Sequence, residues 1–337
     1  MTVFSDRAGF LATLSDLPAP CPTSIAEARA RQAELTKPAG SLGRLEDIAA
    51  FMAGWQRTAR PKADRVQAVV FAGNHGVTAR GVSAFPPEVT AQMVANFRAG
   101  GAAINALCRA SGADLTVVPL DLDRPTGDIT IEPAMTEEAC LAALNAGAEA
   151  VGGDSQLLFV GEMGIGNTTP AAALCAATFG GDAALWCGHG TGIDDRGFAR
   201  KREAVDQALA LHRPFCSDPL ETLRRLGGRE IAAMAGAILA ARRLRIPVLL
   251  DGFIACASIA PLSAAYPGLT DHCLAAHCSA EAAHARLLDA LGLEPLLRLG
   301  LRLGEGTGAA LAVPIVKAAL AAHDEMATFD EAAVATA

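Results

Sequence analysis

The sequence predicts an α/β fold in which a mostly parallel β-sheet is covered by helices on both faces. Short apolar, β-branched runs alternate with longer helix-forming stretches from residue 66 onward. Apolar runs of this length that end in glycine or a polar loop are typical of buried parallel strands. Of the 337 residues, 51% are hydrophobic but only 4% are aromatic, which suits helices packed closely against a sheet.

The two terminal segments are predicted to be helical and to contain no strand. Ser24 and Glu27 have the spacing of a capping box at the start of a helix, and LGRLEDIAAFMAGWQ resumes the helical pattern after the break at KPAG. The C-terminal stretch VPIVKAALAAHDEMATF also lacks a strand pattern. We therefore expect residues 1–60 and 312–337 to form a small helical domain beside an α/β domain of residues 61–311.

Strand and helix patterns follow one another in order through the central part of the chain. Each apolar run precedes a helical stretch: VQAVVFAG and PPEVTAQMVANFRAG, ADLTVVPLDL and TEEACLAALNAGAEAV, QLLFVGEMG and a helix from about Pro170, AALWCG and DDRGFARKREAVDQALAL, IPVLLDG and FIACASIAPLSAA, HCLAAH and SAEAAHARLLDALG. The loops with unusual chemistry, GNHGV, GEMGIGNTT and DGFI, come directly after such runs. Since ligands bind at the carboxyl ends of parallel strands, these loops predict one shared site.

Composition argues against several classes of function. The formal net charge is -8 and there is no block of Lys or Arg, so nucleic acid is not expected as the partner. No uncharged apolar run is long enough to span a bilayer, and the N-terminus lacks the basic-then-apolar layout of a secretory signal. The nine scattered cysteines contain no CxxC pair and indicate a reducing, cytoplasmic location.

A cluster of histidine and cysteine in DHCLAAHC leaves a metal site open as an alternative. It contains His272, Cys273, His277 and Cys278. Their spacing matches no common zinc pattern, and no second pair of ligands follows. The spacing of this cluster therefore disfavours a metal site.

The loop GEMGIGNTTP, residues 161–170, has the composition of an anion-binding loop. It follows a predicted strand and places Thr168 and Thr169 at the start of a helix, where backbone N–H groups and the helix dipole favour a phosphate. No Lys follows its last glycine and its glycines do not form G-x-G-x-x-G, so neither ATP nor NAD is indicated. A tight turn capped by threonine is the structural alternative, and Glu162 adds a carboxylate to the loop.

Four further segments of the sequence hold residues that are either ligand contacts or structural groups. Lys201 lies in the first turns of a helix, where it could neutralise a phosphate, although the pattern alone favours a solvated lysine. Asn74 and His75 either contact a ligand or cap a strand. Asp251 is expected to fix its loop by accepting backbone hydrogen bonds, and Ser279 has the position of a helix N-cap.

Glu305 is flanked by glycines in LRLGEGTGAALA. Glycine on both sides permits unusual backbone dihedrals and the close approach of a ligand. A polar turn between a strand and a helix is the alternative interpretation.

Six stretches together resemble one enzyme family. In chain order they are KPAGSLGRLE, FAGNHGV with GVSAFPPEVTAQMV, GEMGIGNTT, GTGIDDRGFARK, DGFI and RLGEGTGAALA. They resemble the nicotinate-nucleotide–dimethylbenzimidazole phosphoribosyltransferase (CobT) family, from about Lys37 to Leu311. The resemblance covers nearly the whole chain.

The resemblance implies a pentosyltransferase reaction in assembly of the cobalamin nucleotide loop. Ribosyl phosphate would pass from nicotinate mononucleotide to 5,6-dimethylbenzimidazole, giving α-ribazole 5′-phosphate and nicotinate with inversion at the anomeric carbon. The resemblance also implies a Rossmann-like sheet domain, a small helical domain built from both termini, and a homodimer. It implies no metal or organic cofactor.

By the same resemblance, Glu305 matches the general base that accepts the benzimidazole N–H proton, and Glu162 matches a second active-site acid. The remaining matches are Gly164, Ile165, Gly166, Asn167, Thr168, Lys201 and Ser279 for phosphate and ribose, and Ser83, Phe85, Gln92, Met93 and Leu303 for the base. Phe85 stands where the family often has tyrosine, so a hydroxyl contact is missing. The short segment between Asp121 and Thr136 implies a trimmed loop.

Three other functions are compatible with parts of the pattern. A nicotinamide-dependent dehydrogenase would share the sheet but lacks its glycine fingerprint and acidic partner here. A non-catalytic nucleotide-binding protein would keep the phosphate loop but would not need a glycine-flanked Glu305. A related transferase that uses adenine, another benzimidazole or a phenol differs only in pocket shape.

Overall fold

The computed structural model describes residues 3–190 and 192–335 and contains one six-stranded sheet. The strands pair in the order β2-β1-β3-β4-β5-β6, and every pair is parallel. Their bounds are β1 (Val66–Ala72), β2 (Ala113–Pro119), β3 (Leu157–Met163), β4 (Val248–Leu250), β5 (Cys273–His277) and β6 (Pro295–Leu297). The Rossmann-like, parallel fold class is confirmed.

Fourteen α-helices connect and cover these strands within the described residues. They are α1 (Arg7–Ser15), α2 (Pro22–Glu34), α3 (Arg44–Gln56), α4 (Glu88–Ala99), α5 (Ala103–Ser111), α6 (Glu137–Glu149), α7 (Thr168–Phe179), α8 (Ala183–Trp186), α9 (Asp195–His212), α10 (Pro219–Leu226), α11 (Arg229–Arg243), α12 (Phe253–Ala265), α13 (His284–Leu291) and α14 (Thr307–Glu325). Two short 3-10 helices span Gly76–Arg80 and Arg213–Phe215. None of the helices in the described part of the chain is both long and apolar enough to cross a membrane.

The sheet separates two hydrophobic cores because alternate residues of each strand point to opposite faces. Phe71 and Val160 lie in the larger core with α6, α7, α11 and α12. Val70 and Phe159 lie in the second core, which α3, α5 and α14 cover. Burial on both faces explains why the central strands consist of continuous apolar runs.

Helices α6 and α11 pack with their backbones in direct contact. A Cβ on Gly147 would lie 1.8 Å from the carbonyl oxygen of Ala233, and one on Gly236 would lie 1.9 Å from that of Leu144. Only glycine permits so close an approach. The contact fixes α11 firmly against the rest of the larger core.

The structure corrects two predicted elements. AALWCG is not a strand, because Ala183–Trp186 form the short helix α8, capped by Asp182 and anchored by Trp186, whose Nε1 donates to the Gly180 carbonyl. Ser24 does not cap a helix, because α2 already begins at Pro22, and proline at the first helical position needs no N–H partner. The other five predicted strands are present. Strand β6 and helices α5, α10 and α11 are additions that the patterns did not predict.

The two terminal segments contact each other and the sheet domain. Helix α2 packs on α3 and α3 packs on α14, and Leu35 forms an isolated antiparallel bridge with Thr328. Phe4 and Phe10, in contrast, lie in the larger core, and Asn145 of α6 accepts the backbone N–H of Phe4. The domain boundaries near residues 60 and 312 stay a prediction.

Candidate active site

The strand order reverses direction between β1 and β3, and a cleft opens at the carboxyl end of β3. In doubly wound sheets the crevice at such a reversal is the usual ligand site. The cleft has an empty volume of about 750 Å³, which includes its opening to solvent. It is lined by the end of β3, by the segments after β3, β4 and β5 and by the turn before α14. Among the predicted site residues it brings together Glu162, Gly164, Ile165, Asn167, Thr168, Ser279 and Leu303.

The loop between β3 and α7 is held from both sides. Asn167 Nδ2 donates to Glu162 Oε2 at 2.5 Å, which ties the start of α7 to the end of β3. The backbone N–H of Ile165 donates to Thr90 Oγ1 at 3.2 Å, which ties the loop to α4. Gly166 has a φ of 85°, a conformation that favours glycine. The loop thus presents the N-terminus of α7 to the cleft.

Lys201 is buried behind this loop and is not the solvated residue that its local pattern favours. Only 1% of it is exposed. Its Nζ donates to Thr168 Oγ1 at 2.9 Å and to the Gly188 carbonyl at 2.8 Å. Burial lowers the pKa of Lys201, and the negative charge of Glu281 opposes that change. Thr191, in the loop before α9, lies outside the described residues.

Glu305 is buried next to the cleft in a strained backbone conformation. Its φ is 61°, between Gly304 and Gly306, which also have positive φ. Gly304 lines the cleft, whereas the carboxylate of Glu305 lies behind it, and Oε2 has no hydrogen-bond partner among the described residues. Burial raises the pKa of Glu305, and the backbone amide of Ile104 opposes that rise.

Asp251 fixes the turn that carries Glu305. Its Oδ1 accepts the backbone N–H of Ala309 at 2.8 Å. The N-cap residue of α14, Gly306, has no side chain to supply this bond, so Asp251 caps the helix from the loop after β4. The prediction that Asp251 accepts backbone hydrogen bonds is confirmed. The Nε2 atom of His277 lies 3.6 Å from the same Oδ1 of Asp251.

Burial and like charges strongly perturb the carboxylates at this site. Burial is the main cause that raises the pKa of Glu162 to about 8; the negative charges of Glu230, Asp251 and Glu305 add to the rise, and the Asn167 hydrogen bond opposes it. Burial likewise raises the pKa of Asp251 to about 7, against its backbone hydrogen bonds. Glu162 is therefore mostly protonated at neutral pH.

Ser279 lines the cleft but does not cap a helix. Helix α13 begins five residues later, at His284. The Ser279 hydroxyl lies 3.0 Å from His284 Nδ1 and accepts the Glu281 N–H at 3.3 Å. These contacts form a tight turn that holds the hydroxyl at the cleft wall.

The other predicted base contacts lie outside the cleft lining. Ser83 and Phe85 precede α4, and Gln92 and Met93 lie within it. Phe85 is 50% exposed, whereas Met93 packs against the second core. Leu303 is 51% exposed and does line the cleft.

The histidine and cysteine cluster does not form one site. His272 packs edge-on against Trp55, and its Nε2 contacts the Ile238 carbonyl at 2.9 Å. His277 instead lines the cleft beside Asp251. In the described part of the chain no three His, Cys, Asp or Glu side chains are arranged to hold a metal ion.

Two residues near the site were not anticipated from the sequence. Glu230 is fully buried at the start of α11, and its only sequence signal is an acid that opens a long apolar stretch. Arg302 lines the cleft, and its Nη1 donates to the Gly190 carbonyl at 3.3 Å. It directly precedes the predicted Leu303.

The family described as Phosphoribosyltransferase matches residues 17–334 of this chain, which places the chain in a phosphoribosyl-transferring class of protein. A nicotinate-nucleotide–dimethylbenzimidazole phosphoribosyltransferase of Novosphingobium aromaticivorans is 64% identical and covers 99% of both chains. One of Mesorhizobium japonicum is 60% identical over 95% of both chains. A crystal structure of CobT from Thermus thermophilus is 43% identical, covers 94% of this chain and 100% of that one, and has a TM-score of 0.87. The chain belongs to the nicotinate-nucleotide–dimethylbenzimidazole phosphoribosyltransferase family.

Proposed function

We propose that the protein transfers the phosphoribosyl group of nicotinate mononucleotide to 5,6-dimethylbenzimidazole. The bond between the anomeric carbon and the nicotinate nitrogen breaks, and its electron pair stays on the ring nitrogen of the departing nicotinate, which thereby loses its positive charge. A benzimidazole nitrogen forms the new bond, and the proton of the other ring nitrogen passes to Glu305. The products are α-ribazole 5′-phosphate and nicotinate. The observation that carries this proposal is the buried Oε2 of Glu305 beside the cleft, for which the described part of the chain supplies no hydrogen-bond partner.

The arrangement of Glu305 suits a general base. Its pKa is raised by burial, which brings a carboxylate nearer to the pH at which it must accept a proton. Positioning then supplies the larger part of catalysis, because the leaving group is already activated as a pyridinium. The structure supports this role through Asp251 and the two flanking glycines, which fix the turn.

The loop between β3 and α7 is the proposed phosphate site. Backbone N–H groups at the start of α7 and the helix dipole favour an anion there, although the N–H groups of Ile165 and Asn167 already donate to Thr90 and to the Gly164 carbonyl. Lys201 supplies positive charge through Thr168, which it contacts directly. Ser279, on the opposite segment of the cleft, is proposed to contact the ribose or phosphate. Glu162, mostly neutral, would donate a hydrogen bond to the nicotinate-side substrate or to water.

The aromatic base is proposed to lie between Glu305 and the segment of Ser83, Phe85, Gln92 and Met93, with Leu303 at the cleft edge. Because Phe85 and Leu303 are half exposed in a single chain, we propose that a homodimer covers them. Light scattering coupled to gel filtration tests the dimer. We also propose a cytoplasmic location, since all nine cysteines are free and free thiols persist in a reducing compartment.

A chromatographic turnover assay with both substrates tests the reaction. Wild-type protein should form α-ribazole 5′-phosphate and nicotinate in equal amounts. Glu305→Gln keeps the shape of the side chain but cannot accept the proton, so we expect turnover to fall about 100-fold or more while nicotinate mononucleotide still binds. Glu27→Gln, an exposed change on α2, is the control.

The other outcomes separate the alternatives. If nicotinate mononucleotide binds but dimethylbenzimidazole does not react, the same assay with adenine, other benzimidazoles and phenols identifies a different acceptor. Binding with no acceptor consumed would indicate a non-catalytic nucleotide-binding protein. Full activity of Glu305→Gln would reject this residue as the base.

A further inference from the structure

A buried pair of side chains lies beneath the cleft and has no part in the proposed chemistry. His75, in the loop after β1, and Glu230, at the start of α11, are 1% and 0% exposed. His75 Nε2 lies 2.5 Å from Glu230 Oε1. The two residues are far apart in sequence, and they meet only because the fold brings the β1 loop over the start of α11.

Glycines from three different segments surround this pair. A Cβ on Gly73 would lie 2.5 Å from Glu230 Oε2, one on Gly164 would lie 2.7 Å from Oε1, and one on Gly228 would lie 2.2 Å from His75 Cε1. Since real Cβ atoms do not approach this closely, all three positions leave room for the pair. The backbone of the phosphate loop therefore rests directly on the Glu230 carboxylate at Gly164.

The same carboxylate acts electrostatically on the cleft. Its negative charge is one of the causes that raise the pKa of Glu162, together with Asp251 and Glu305. Asn167 is the polar group that hydrogen-bonds Glu162. Glu230 differs from the other two acids because it is paired with His75, and unlike Asp251 it does not line the cleft.

A buried hydrogen-bonded pair of this kind is weak evidence for stability. Burying a charged group costs free energy that its partner only partly returns, and apolar residues of similar volume often stabilise as well or better. The position of the pair under Gly164 and close to Glu162 indicates what it contributes instead.

We propose that His75 and Glu230 form a positioning pair for the transfer reaction. The pair supports the phosphate loop at Gly164 and keeps a fixed negative charge near Glu162, so that Glu162 enters the reaction as a neutral carboxyl group. This inference rests on the proposed function for its kinetic consequence, but the state of Glu162 is measurable without turnover.

Glu230→Gln tests the charge while preserving the size of the side chain. The amide oxygen can still accept from His75, so we expect the fold to persist. Because the proposal places a negative charge on Glu230, removing that charge should lower the pKa of Glu162 by about half a unit or more. Carboxyl ¹³C NMR follows the titration of Glu162 directly, with Glu162→Gln used to assign the signal.

Steady-state kinetics distinguish the effect of the Glu230 charge on Glu162 from the effect of the Glu230 contact with Gly164. In Glu230→Gln the alkaline limb of the kcat profile should move to lower pH, because Glu162 loses its proton earlier. Glu230→Asp keeps the charge but withdraws it from Gly164, so kcat should fall at least about fivefold with the limb unmoved. The exposed Glu27→Gln change should alter neither kcat nor the position of the alkaline limb.

Two results would overturn the inference. One is an unchanged Glu162 titration in a folded Glu230→Gln protein. The other is a lower melting temperature in both variants while kcat and the alkaline limb of its pH profile stay as in wild type. That result would mean that the pair has only a structural role. If wild-type protein shows no turnover, the proposed function fails, and the NMR titration still decides whether Glu230 controls the protonation of Glu162.

Discussion

Glu305 has a left-handed backbone conformation that residues with a Cβ rarely adopt. Strain of this kind costs about 1 kcal/mol or more and persists where the surroundings impose it. Here the surroundings include Gly161, where a Cβ would lie 2.4 Å from the Glu305 carbonyl group. The strained turn brings the carboxylate to the N-terminus of α5, near Ile104, and keeps it buried. The flanking glycines in the sequence predict unusual backbone dihedrals at this turn, but the positive φ of Glu305 itself depends on its packing against β3.

Glu162 should lower the stability of the protein as pH rises. Its pKa is about 8 in the folded state against an ordinary 4.5, so the folded state keeps a proton that the unfolded chain loses. The contribution of Glu162 to the free energy of unfolding therefore falls between about pH 4.5 and pH 8, by about 1.4 kcal/mol for each unit of pKa difference between the folded and unfolded states. Asp251, with a raised pKa of about 7, acts in the same direction.

Glu162→Gln should remove this part of the pH dependence. We expect the variant to gain roughly 2–4 kcal/mol of stability at pH 8 and little at pH 4. Urea unfolding at both pH values measures the difference, and the exposed Glu27→Gln serves as control. An equal gain at both pH values would mean that Glu162 is ionised in the folded protein.

Lys201 shows how far a local pattern can be trusted at the residue scale. Between Arg200 and Arg202 it has the pattern of a solvated helix face. Its burial follows from long-range contacts with Thr168 and Gly188, which no short window contains. Only the family resemblance pointed to it.

Helix α14 depends on a capping group that is distant in sequence. Asp251 supplies this group from the loop after β4, 58 residues before Ala309. Because Glu305 lies in the turn immediately before the helix, the cap also sets the position of the proposed base.

Asp251→Ala and Asp251→Asn should differ. Alanine removes the cap, so we expect a loss of about 1 kcal/mol of stability and a fall in kcat on the order of 100-fold as Glu305 shifts. Asparagine keeps an oxygen that can accept the Ala309 N–H, so this variant should retain most of the stability and most of the kcat of the wild-type protein. Urea unfolding and the turnover assay measure these effects, and equal behaviour of the two variants would contradict the capping role.

Strands were easier to predict than helices at the element scale. β1 and β3 are buried on both faces, so their apolar runs stand out against glycine-rich loops. β6 has only three residues, too few for a periodic signal. α11 is buried along almost its whole length, so no polar face marks it as a helix, and Glu230 was missed with it.

At the scale of the whole molecule, the two ends of α14 have separate tasks. Its N-terminus holds the Glu305 turn, whereas its C-terminus is bound by Arg31 of α2. Arg31 donates to the carbonyls of His323 at 2.8 Å, Asp324 at 2.9 Å and Met326 at 3.2 Å. These bonds satisfy carbonyl groups that a helix end leaves free.

Arg31→Ala should destabilise the protein without affecting catalysis. Losing charged hydrogen bonds to three carbonyls should cost about 1–3 kcal/mol. The proposed base lies at the other end of the helix, so kcat at 25 °C should stay within about twofold of wild type. Differential scanning calorimetry and the turnover assay test this, with exposed Arg29→Ala on the same helix as control. A large fall in kcat would show that the helix transmits strain along its length.

The order of the loops made most of the cleft predictable, because parallel topology brings the ends of β3, β4 and β5 together. The second half of the proposed site was not predictable in the same way. Residues 83–93 reach the Glu305 side of the sheet through α4, and their exposure depends on what covers that face.

The unequal burial of the two halves has a practical consequence for engineering. Changes to the largely buried loop between β3 and α7 or to Lys201 would disturb the packed interior. Phe85, Gln92 and Leu303 are exposed, and exposed positions usually change stability by less than about 0.5 kcal/mol. A mutant library at those three positions would leave most of its members folded. A screen of that library for new aromatic acceptors would then report differences in recognition and not losses of intact protein.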